Sequence, residues 1–254
     1  MLIALLMSAL AGLSTGVGGL LGLYRKPGPR TTAVSMGFAA GVMMTVSLAD
    51  MVPGALDNFR QRMTPAAAGL AGTSLLLLGI ASALLFERLL PEEQAFSAGP
   101  GQDRRQAMRC ALTVGLALLL HNLPEGVLTL FSGAQDPRLG LRMALAVALH
   151  NIPEGLSVAV PLYYATGSRL KSAAAAFLSG LAEPLGGVLA YLAAGDALTL
   201  DLLQGMLFFI AGIMSCVSIS QLLPAGFLLA KRKWTVAGFA LGMGTMLVGI
   251  AALA

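Results

Sequence analysis

The chain has 254 residues, of which 57% are hydrophobic and only 11% are charged, and its formal net charge at pH 7 is +4. Soluble domains carry about 25% charged residues. The composition therefore excludes an ordinary soluble fold, which would lack the polar side chains needed to cover its apolar bulk. Lys and Arg form no dense run of the kind that binds nucleic acid and lie at the ends of apolar segments instead. We expect the lipid bilayer, and no nucleic acid, as a partner.

Eight apolar segments follow one another along the chain, each close to or above the length of about 20 residues that crosses the hydrocarbon core of a membrane. Their boundaries are 2–23, 32–56, 66–90, 107–131, 138–164, 169–195, 199–229 and 234–254. The first segment has no basic residue before it and a long apolar run, so it is interpreted as a membrane helix and not as a signal peptide. The sequence predicts an all-α membrane protein with eight transmembrane helices in a single domain, residues 1–254.

The links between these segments differ in charge. Twelve of the sixteen Lys and Arg residues lie in or beside the links after the odd-numbered segments, and four belong to those after the even-numbered ones. Cytoplasmic loops carry the excess of positive charge, so both termini are expected outside. The link near 91–106 is the only one with sustained polar character and is predicted to be a cytoplasmic loop.

Four carboxylates lie inside the apolar segments, whereas the other eight lie in links or at segment ends. The four are Asp50, Glu125, Glu154 and Glu183. A charge within the bilayer is costly and usually faces a protein cavity that contains a partner. These four residues are therefore candidates for a functional site.

The fourth and fifth segments contain the only two histidines of the chain, in two copies of one hexapeptide. His121–Gly126 reads HNLPEG and His150–Gly155 reads HNIPEG, 29 residues apart. In a helix, His and Glu four apart and Asn and Glu three apart share a face. The proline frees a backbone carbonyl and is expected to kink the helix, and the following glycine lets a neighbouring helix come close.

Both hexapeptides fall near the middle of the membrane, and the sixth segment places Glu183 and Pro184 at a similar depth. Three carboxylates, two imidazoles and two amides can then converge. This donor set suits zinc, with iron, manganese, cobalt or cadmium as alternatives, and two metal ions could share Glu125 and Glu154. The two cysteines form no CxxC pair and are assigned to packing, and no prosthetic group is expected. One hexapeptide alone would be explained as well by a packing hydrogen bond, but two copies and a third Glu favour a metal site.

Asp50 and Met51 in the second segment, before Pro53, form a weaker candidate. They lie toward the outer end of the segment and could receive the metal there. A kink and a helix-end charge explain the same residues equally well.

At these residues the chain resembles the ZIP (Zrt/Irt-like) metal transporters, and most closely their bacterial zinc-uptake branch. The resemblance rests on the paired HNxPEG motif and extends from GFAAG at 37–41 to SGLAE at 179–183. It implies a fold in which helices 1–3 and 6–8 form an inverted repeat around helices 4 and 5. It also implies a homodimer in the bacterial plasma membrane that moves metal toward the cytoplasm through a central site for two ions.

The resemblance also implies a ligand set. One metal ion would be bound by His121, Glu125, His150 and Glu154. The other would be bound by Asn122, Asn151 and Glu183 and would share the two central glutamates.

The sequence departs from the family in two places. Relatives often carry acidic residues near the inner end of the seventh segment, where 218–224 reads SISQLLP and Gln221 is a neutral candidate for the metal pathway. The link near 91–106 lacks the His-rich tract that is common in relatives. We therefore expect a weakened exit ligand and no metal delivery through that loop.

The sequence thus favours a transporter of divalent transition metals, most of all zinc, over two alternatives. An intramembrane metal-dependent hydrolase usually has His-Glu-x-x-His on one helix, but this chain has one His per helix in two symmetric motifs. The second alternative, a metal receptor without transport, is not excluded by the sequence. No enzyme activity is expected.

Overall fold

The computed structural model of the protein describes residues 1–24, 28–89, 102–194 and 199–253. Within these ranges the chain is helical, without strands, and contains eight helices long and apolar enough to cross a membrane. The predicted all-α class with eight spans is confirmed. The helices are α1 (Leu2–Leu23), α2 (Pro29–Arg60), α3 (Pro65–Leu89), α4 (Gln102–Gln135), α5 (Pro137–Thr166), α6a (Arg169–Gly180), α6b (Ala182–Ala194), α7 (Leu200–Val217, Ser218–Leu222 and Leu223–Leu229) and α8 (Arg232–Leu253).

Two boundaries differ from the sequence prediction. Most of the polar link near 91–106 lies outside the described residues, but 102–106 already belong to the first turns of α4. The sixth span, predicted as one segment, is broken at Leu181 into α6a and α6b. Pro184 causes this break, because it has no N–H to donate to the carbonyl of Gly180.

The connection between α5 and α6a shows how local sequence sets the helix ends. Asp136 caps the start of α5, where its carboxylate accepts a hydrogen bond of 2.9 Å from the backbone N–H of Arg138. Gly167 ends α5 with φ of 69°, which glycine adopts without strain. Ser168 then caps α6a, with its hydroxyl 3.3 Å from the backbone nitrogen of Lys171.

Close glycine contacts divide the eight helices into two groups. Helices α1, α4, α5, α6a and α6b pack together, and a Cβ added to Gly12 of α1 would collide with the backbone of Gly180 in α6a. Helices α2, α3, α7 and α8 form the second group, where Gly37 of α2 meets the backbone of Thr235 in α8 and Gly79 of α3 meets α7. Small residues let membrane helices approach at backbone distance, so each group packs tightly.

Helices α2 and α7 are interrupted in the same way. Each contains a five-residue π turn, Ser47–Met51 in α2 and Ser218–Leu222 in α7, and each turn starts six residues before a proline. The prolines, Pro53 and Pro224, cannot donate to the carbonyl four residues back, and the wider turn accommodates the ring. Successive spans run in opposite directions, so α2 and α7 are antiparallel. This correspondence agrees with the inverted repeat that the family resemblance implied.

Candidate metal centre

The sequence-predicted ligands are brought together in the interior of the first helix group, where α4, α5 and α6b meet. All seven side chains are buried, with at most 1% of their surface exposed: His121, Asn122, Glu125, His150, Asn151, Glu154 and Glu183. Polar side chains at this depth need partners, because neither lipid nor a dry protein interior can satisfy them. The hydrogen-bond partners of these seven side chains define the site.

The two hexapeptides pair across the helix interface. The Nε2 atom of His121 in α4 lies 3.1 Å from Oε1 of Glu154 in α5. The Nε2 atom of His150 in α5 lies 3.5 Å from the carboxylate of Glu125 in α4. Spacing alone suggested contact between His and Glu of the same helix, but each imidazole contacts the Glu of the other helix. The reciprocal pairing holds the four side chains in one small volume.

The two asparagines hold this quartet against the surrounding helices. Asn122 donates a hydrogen bond of 3.0 Å from its Nδ2 atom to the backbone carbonyl of Ser179 in α6a. Asn151 donates one of 3.0 Å to the carbonyl of Ala11 in α1 and one of 2.6 Å to the carboxylate of Glu183. In both residues the amide nitrogen is used for positioning, and the amide oxygen stays free. Sequence reasoning did not find these backbone partners, since any residue type can supply a carbonyl.

The glycine that ends each hexapeptide allows a neighbouring helix to reach the site. A Cβ on Gly126 would collide with the backbone carbonyl of Glu183 in α6b. A Cβ on Gly155 would collide with the carbonyl of Thr15 in α1. The predicted role of these glycines is confirmed. Pro124 and Pro153 remain inside continuous helices, so the prolines do not end α4 or α5.

Each of the seven side chains keeps one buried polar atom without a hydrogen-bond partner. These atoms are His121 Nδ1, Asn122 Oδ1, Glu125 Oε1, His150 Nδ1, Asn151 Oδ1, Glu154 Oε2 and Glu183 Oε2. All but the Nδ1 atoms are oxygen acceptors, and a neutral imidazole nitrogen is itself a common metal ligand. Within the described ranges, no three His, Cys, Asp or Glu side chains already stand in a geometry that holds a metal ion. A metal ion at this place would have to separate the His–Glu pairs that now satisfy one another.

The candidate pathway residues lie on the two π turns. Asp50 is exposed on α2, Met51 is buried with 7% of its surface exposed, and Gln221 is half-buried on α7. Asp50 is within electrostatic range of His150. The two π turns lie in the second halves of antiparallel helices, so Asp50 and Gln221 belong to opposite ends of the molecule.

Glu87 is a residue that the sequence prediction missed. It lies in the last turn of α3 and accepts a hydrogen bond from the hydroxyl of Ser220, the neighbour of Gln221. The stretch 218–224 has no carboxylate of its own, as predicted, but a neighbouring helix brings one to it. The available signal was the position of Glu87 within the predicted third segment, but its place near the segment end favoured a helix-end charge.

Known proteins that are similar in sequence to this chain are zinc transporters. The sequence profile described as the ZIP zinc transporter family matches residues 92–250. The chain is 36% identical to the zinc transporter ZupT of Stenotrophomonas maltophilia strain R551-3, over 98% of this chain and 94% of that protein. It is 38% identical to the zinc transporter ZupT of Chlorobium limicola, covering 99% and 98% of the two chains. Against the zinc transporter ZupT of Salmonella heidelberg the identity is 40%, over 88% and 86%.

The helical fold and the buried, reciprocally paired His and Glu side chains place this chain among the polytopic membrane proteins with an intramembrane polar centre. Within that class, this chain is a member of the ZIP zinc transporter family. It is an integral membrane protein, as its eight apolar helices require.

Proposed function

We propose that this protein transports zinc across the membrane and that the zinc passes through the centre formed by α4, α5 and α6b. The observation that carries the proposal is the pair of buried His–Glu contacts, His121 with Glu154 and His150 with Glu125, at 3.1 and 3.5 Å. Structural packing alone rarely places two imidazoles and two carboxylates together in an apolar interior. Zinc favours this combination of nitrogen and oxygen ligands.

The four paired side chains would form one binding site. Zinc would replace the His–Glu contacts with its own bonds, so each carboxylate has a partner both with and without the ion. The pairs thus stabilise the metal-free centre and lower the cost of emptying it. Such reversibility is what a transporter needs, since a site that binds too tightly does not release its ion.

A second zinc ion would be bound on the side of the asparagines. The free oxygens of Asn122 and Asn151 and the unpaired oxygen of Glu183 would contribute to it. Asn151 holds Glu183 at 2.6 Å, which keeps this carboxylate directed at the amides. Glu125 and Glu154 would be shared by the two ions, as two-metal sites commonly require.

The route would connect the two π turns through the centre. Asp50, exposed on α2, would attract the ion on the side that the charge distribution of the links assigns to the outside. Gln221 and the Ser220–Glu87 pair lie toward the other end, where the ion would leave to the cytoplasm.

Iron, manganese, cobalt and cadmium share the ligand preference and are expected as secondary substrates. We also expect a homodimer in the bacterial plasma membrane.

Zinc uptake by vesicles tests the proposal. Purified protein is reconstituted into liposomes that contain a zinc-sensitive dye, and external zinc is added. We expect dye response with wild-type protein and background response with Glu125→Gln, whose isosteric amide keeps the shape of the centre and removes its charge. Zinc binding by the wild-type protein without uptake would favour a receptor and contradict the proposal. The assay separates transport from hydrolysis as well, since a hydrolase would bind zinc without accumulating it.

A further inference from the structure

A basic cavity lies at one end of the molecule, far from the carboxylates of the metal centre in sequence and on different helices. It is formed where α2 begins and where α7 turns into α8, and its volume is about 400 Å³. The lining residues are Gly28, Pro29, Arg30, Leu229, Ala230, Lys231 and Trp234. This volume falls within the usual range of about 300–1,000 Å³ for small-molecule sites.

Among the residues that the structure describes, no carboxylate forms an ion pair with the basic side chains that line this cavity. Arg30 and Lys231 line it and are exposed, and Arg232 and Lys233 follow immediately in the chain. The sequence contains no Asp or Glu in residues 1–49 or 202–254. Among the described residues, no ion pair involves Arg30 or Lys231. The charge is therefore available to an external anion.

Aromatic rings position three of these four basic side chains, Arg30, Arg232 and Lys233, without neutralising them. The guanidinium carbon of Arg30 lies 5.7 Å from the ring centroid of Trp234, and the Nζ atom of Lys233 lies 5.2 Å from it. Arg232 has the same relation to Phe227, at 5.1 Å. A cation over an aromatic face keeps its full charge and its hydrogen-bond donors. Trp234 is half-buried and thus fixes the basic side chains at the rim of the cavity.

The cavity lies at the membrane surface. Its residues come from the first turn of α2, the end of α7 and the first turn of α8, which are all ends of membrane-spanning helices. Tryptophan beside Lys and Arg is typical of the layer where lipid headgroups meet water. Basic pockets between helix ends at this level suit the phosphate groups of anionic lipids.

We propose that this cavity binds a phosphate-bearing anion, and that the anion is the headgroup of an anionic phospholipid such as phosphatidylglycerol. Arg30 donates to the phosphate through its planar fork, and Lys231 contributes a point charge from the opposite wall. The lipid joins the start of α2 to the α7–α8 turn, which belong to one helix group. With its headgroup held in the cavity, the lipid would extend its acyl chains into the bilayer alongside the helices.

The single tryptophan of the chain provides the test, because Trp234 lines the cavity and its fluorescence reports on occupancy. The purified full-length protein in neutral detergent is titrated with short-chain phosphatidylglycerol, short-chain phosphatidylcholine or inorganic phosphate. We expect a saturable emission change with phosphatidylglycerol and none with phosphatidylcholine over the same range. Inorganic phosphate should act only at much higher concentration. A saturable change with inorganic phosphate that equals the lipid response would overturn the lipid as the source.

A double variant and a matched control separate the cavity from general surface charge. Arg30→Gln/Lys231→Gln should raise the half-saturating concentration of phosphatidylglycerol by about tenfold or more. Arg169→Gln/Lys171→Gln removes two exposed basic residues from another link at the same end of the molecule and should shift it by less than about twofold. Equal emission changes with both lipids in wild-type protein, or equal shifts in the two double variants, would refute the proposal.

Discussion

Single side chains in the candidate metal centre are expected to contribute unequally, and Glu154 and Asn151 illustrate the difference. Glu154 contacts His121 at 3.1 Å and is expected to serve both zinc ions, whereas Asn151 positions Glu183 and would serve one. Loss of a shared charged ligand disturbs the whole centre. Loss of a neutral ligand that also positions a carboxylate weakens it, typically by about 10–100-fold.

We therefore expect Glu154→Gln to reduce zinc flux to background and Asn151→Ala to leave measurable flux. Both variants are compared in the vesicle assay at matched protein content, with zinc affinity measured on the same preparations. A more severe loss in Asn151→Ala than in Glu154→Gln would mean that the glutamates are not shared.

Zinc binding at this centre is also expected to depend on pH. Zinc needs neutral imidazoles and ionised carboxylates, and protons compete for the same lone pairs. As the pH falls, more of these atoms carry protons that zinc must displace, so the apparent affinity for zinc should decrease. Zinc titrations near neutrality and about one pH unit lower would check the sign. Equal or tighter binding at the lower pH would contradict direct coordination by His121 and His150.

At the residue scale, some contacts of the candidate site could be predicted from the sequence and others could not, depending on the type of contact. The convergence of His121, Glu125, His150 and Glu154 in one buried cluster could be predicted, because charged and imidazole side chains are costly inside apolar segments and usually face partners there. The hydrogen bonds from Asn122 and Asn151 to backbone carbonyls could not be predicted, since every residue has a carbonyl and the sequence does not show which one accepts. The reciprocal pairing between helices likewise required the relative rotation of α4 and α5, which spacing within one helix does not determine.

At the scale of helices, backbone-distance packing places the third carboxylate. Gly126 in α4 lets α6b approach until the carbonyl of Glu183 occupies the space where a Cβ would be. The break at Leu181 then puts Glu183 in the first turn of α6b. The sequence places Pro184 beside Glu183 but predicts one continuous span, because a proline alone does not show that a helix divides: Pro124 and Pro153 remain inside helices.

Replacement of Gly126 by Ala should therefore displace α6b and impair transport. Overpacking of this kind costs about 1–3 kcal/mol of stability, and Glu183 would move with the helix. Gly115→Ala is the matched control on the same helix, since the nearest atom to its Cβ is Val158 Cγ1 at 3.9 Å. Thermal unfolding and zinc flux of both variants test this. Normal flux and stability in Gly126→Ala would show that the close approach is not needed.

For the whole molecule, the expected orientation in the membrane rests on the unequal distribution of basic residues among the links. The eight spans place Lys231, Arg232 and Lys233 at the same end as the first and fifth links, all of them rich in positive charge. Both termini would then be outside. Span number and helix class could be predicted from the sequence because bilayer thickness sets the length of each apolar segment. The division into two helix groups could not be predicted, since the sequence does not show which helix packs against a given glycine.

Cysteine labelling in intact cells tests this orientation. In a background without Cys110 and Cys216, Lys233→Cys should resist a membrane-impermeant thiol reagent, and Gln61→Cys, exposed in the link after α2, should react. Permeabilised cells provide the control in which both react. Labelling of Lys233→Cys from outside would reverse the assigned direction of transport.

The central claim is that zinc is bound directly by imidazole and carboxylate groups of α4 and α5. X-ray absorption spectroscopy of the zinc-loaded protein tests it without assuming transport. We predict a shell of nitrogen and oxygen neighbours at about 2.0–2.2 Å with the outer scattering of imidazole. This imidazole signal should vanish in His121→Gln/His150→Gln. A sulfur shell at about 2.3 Å, or an imidazole signal unchanged in the double variant, would contradict the account.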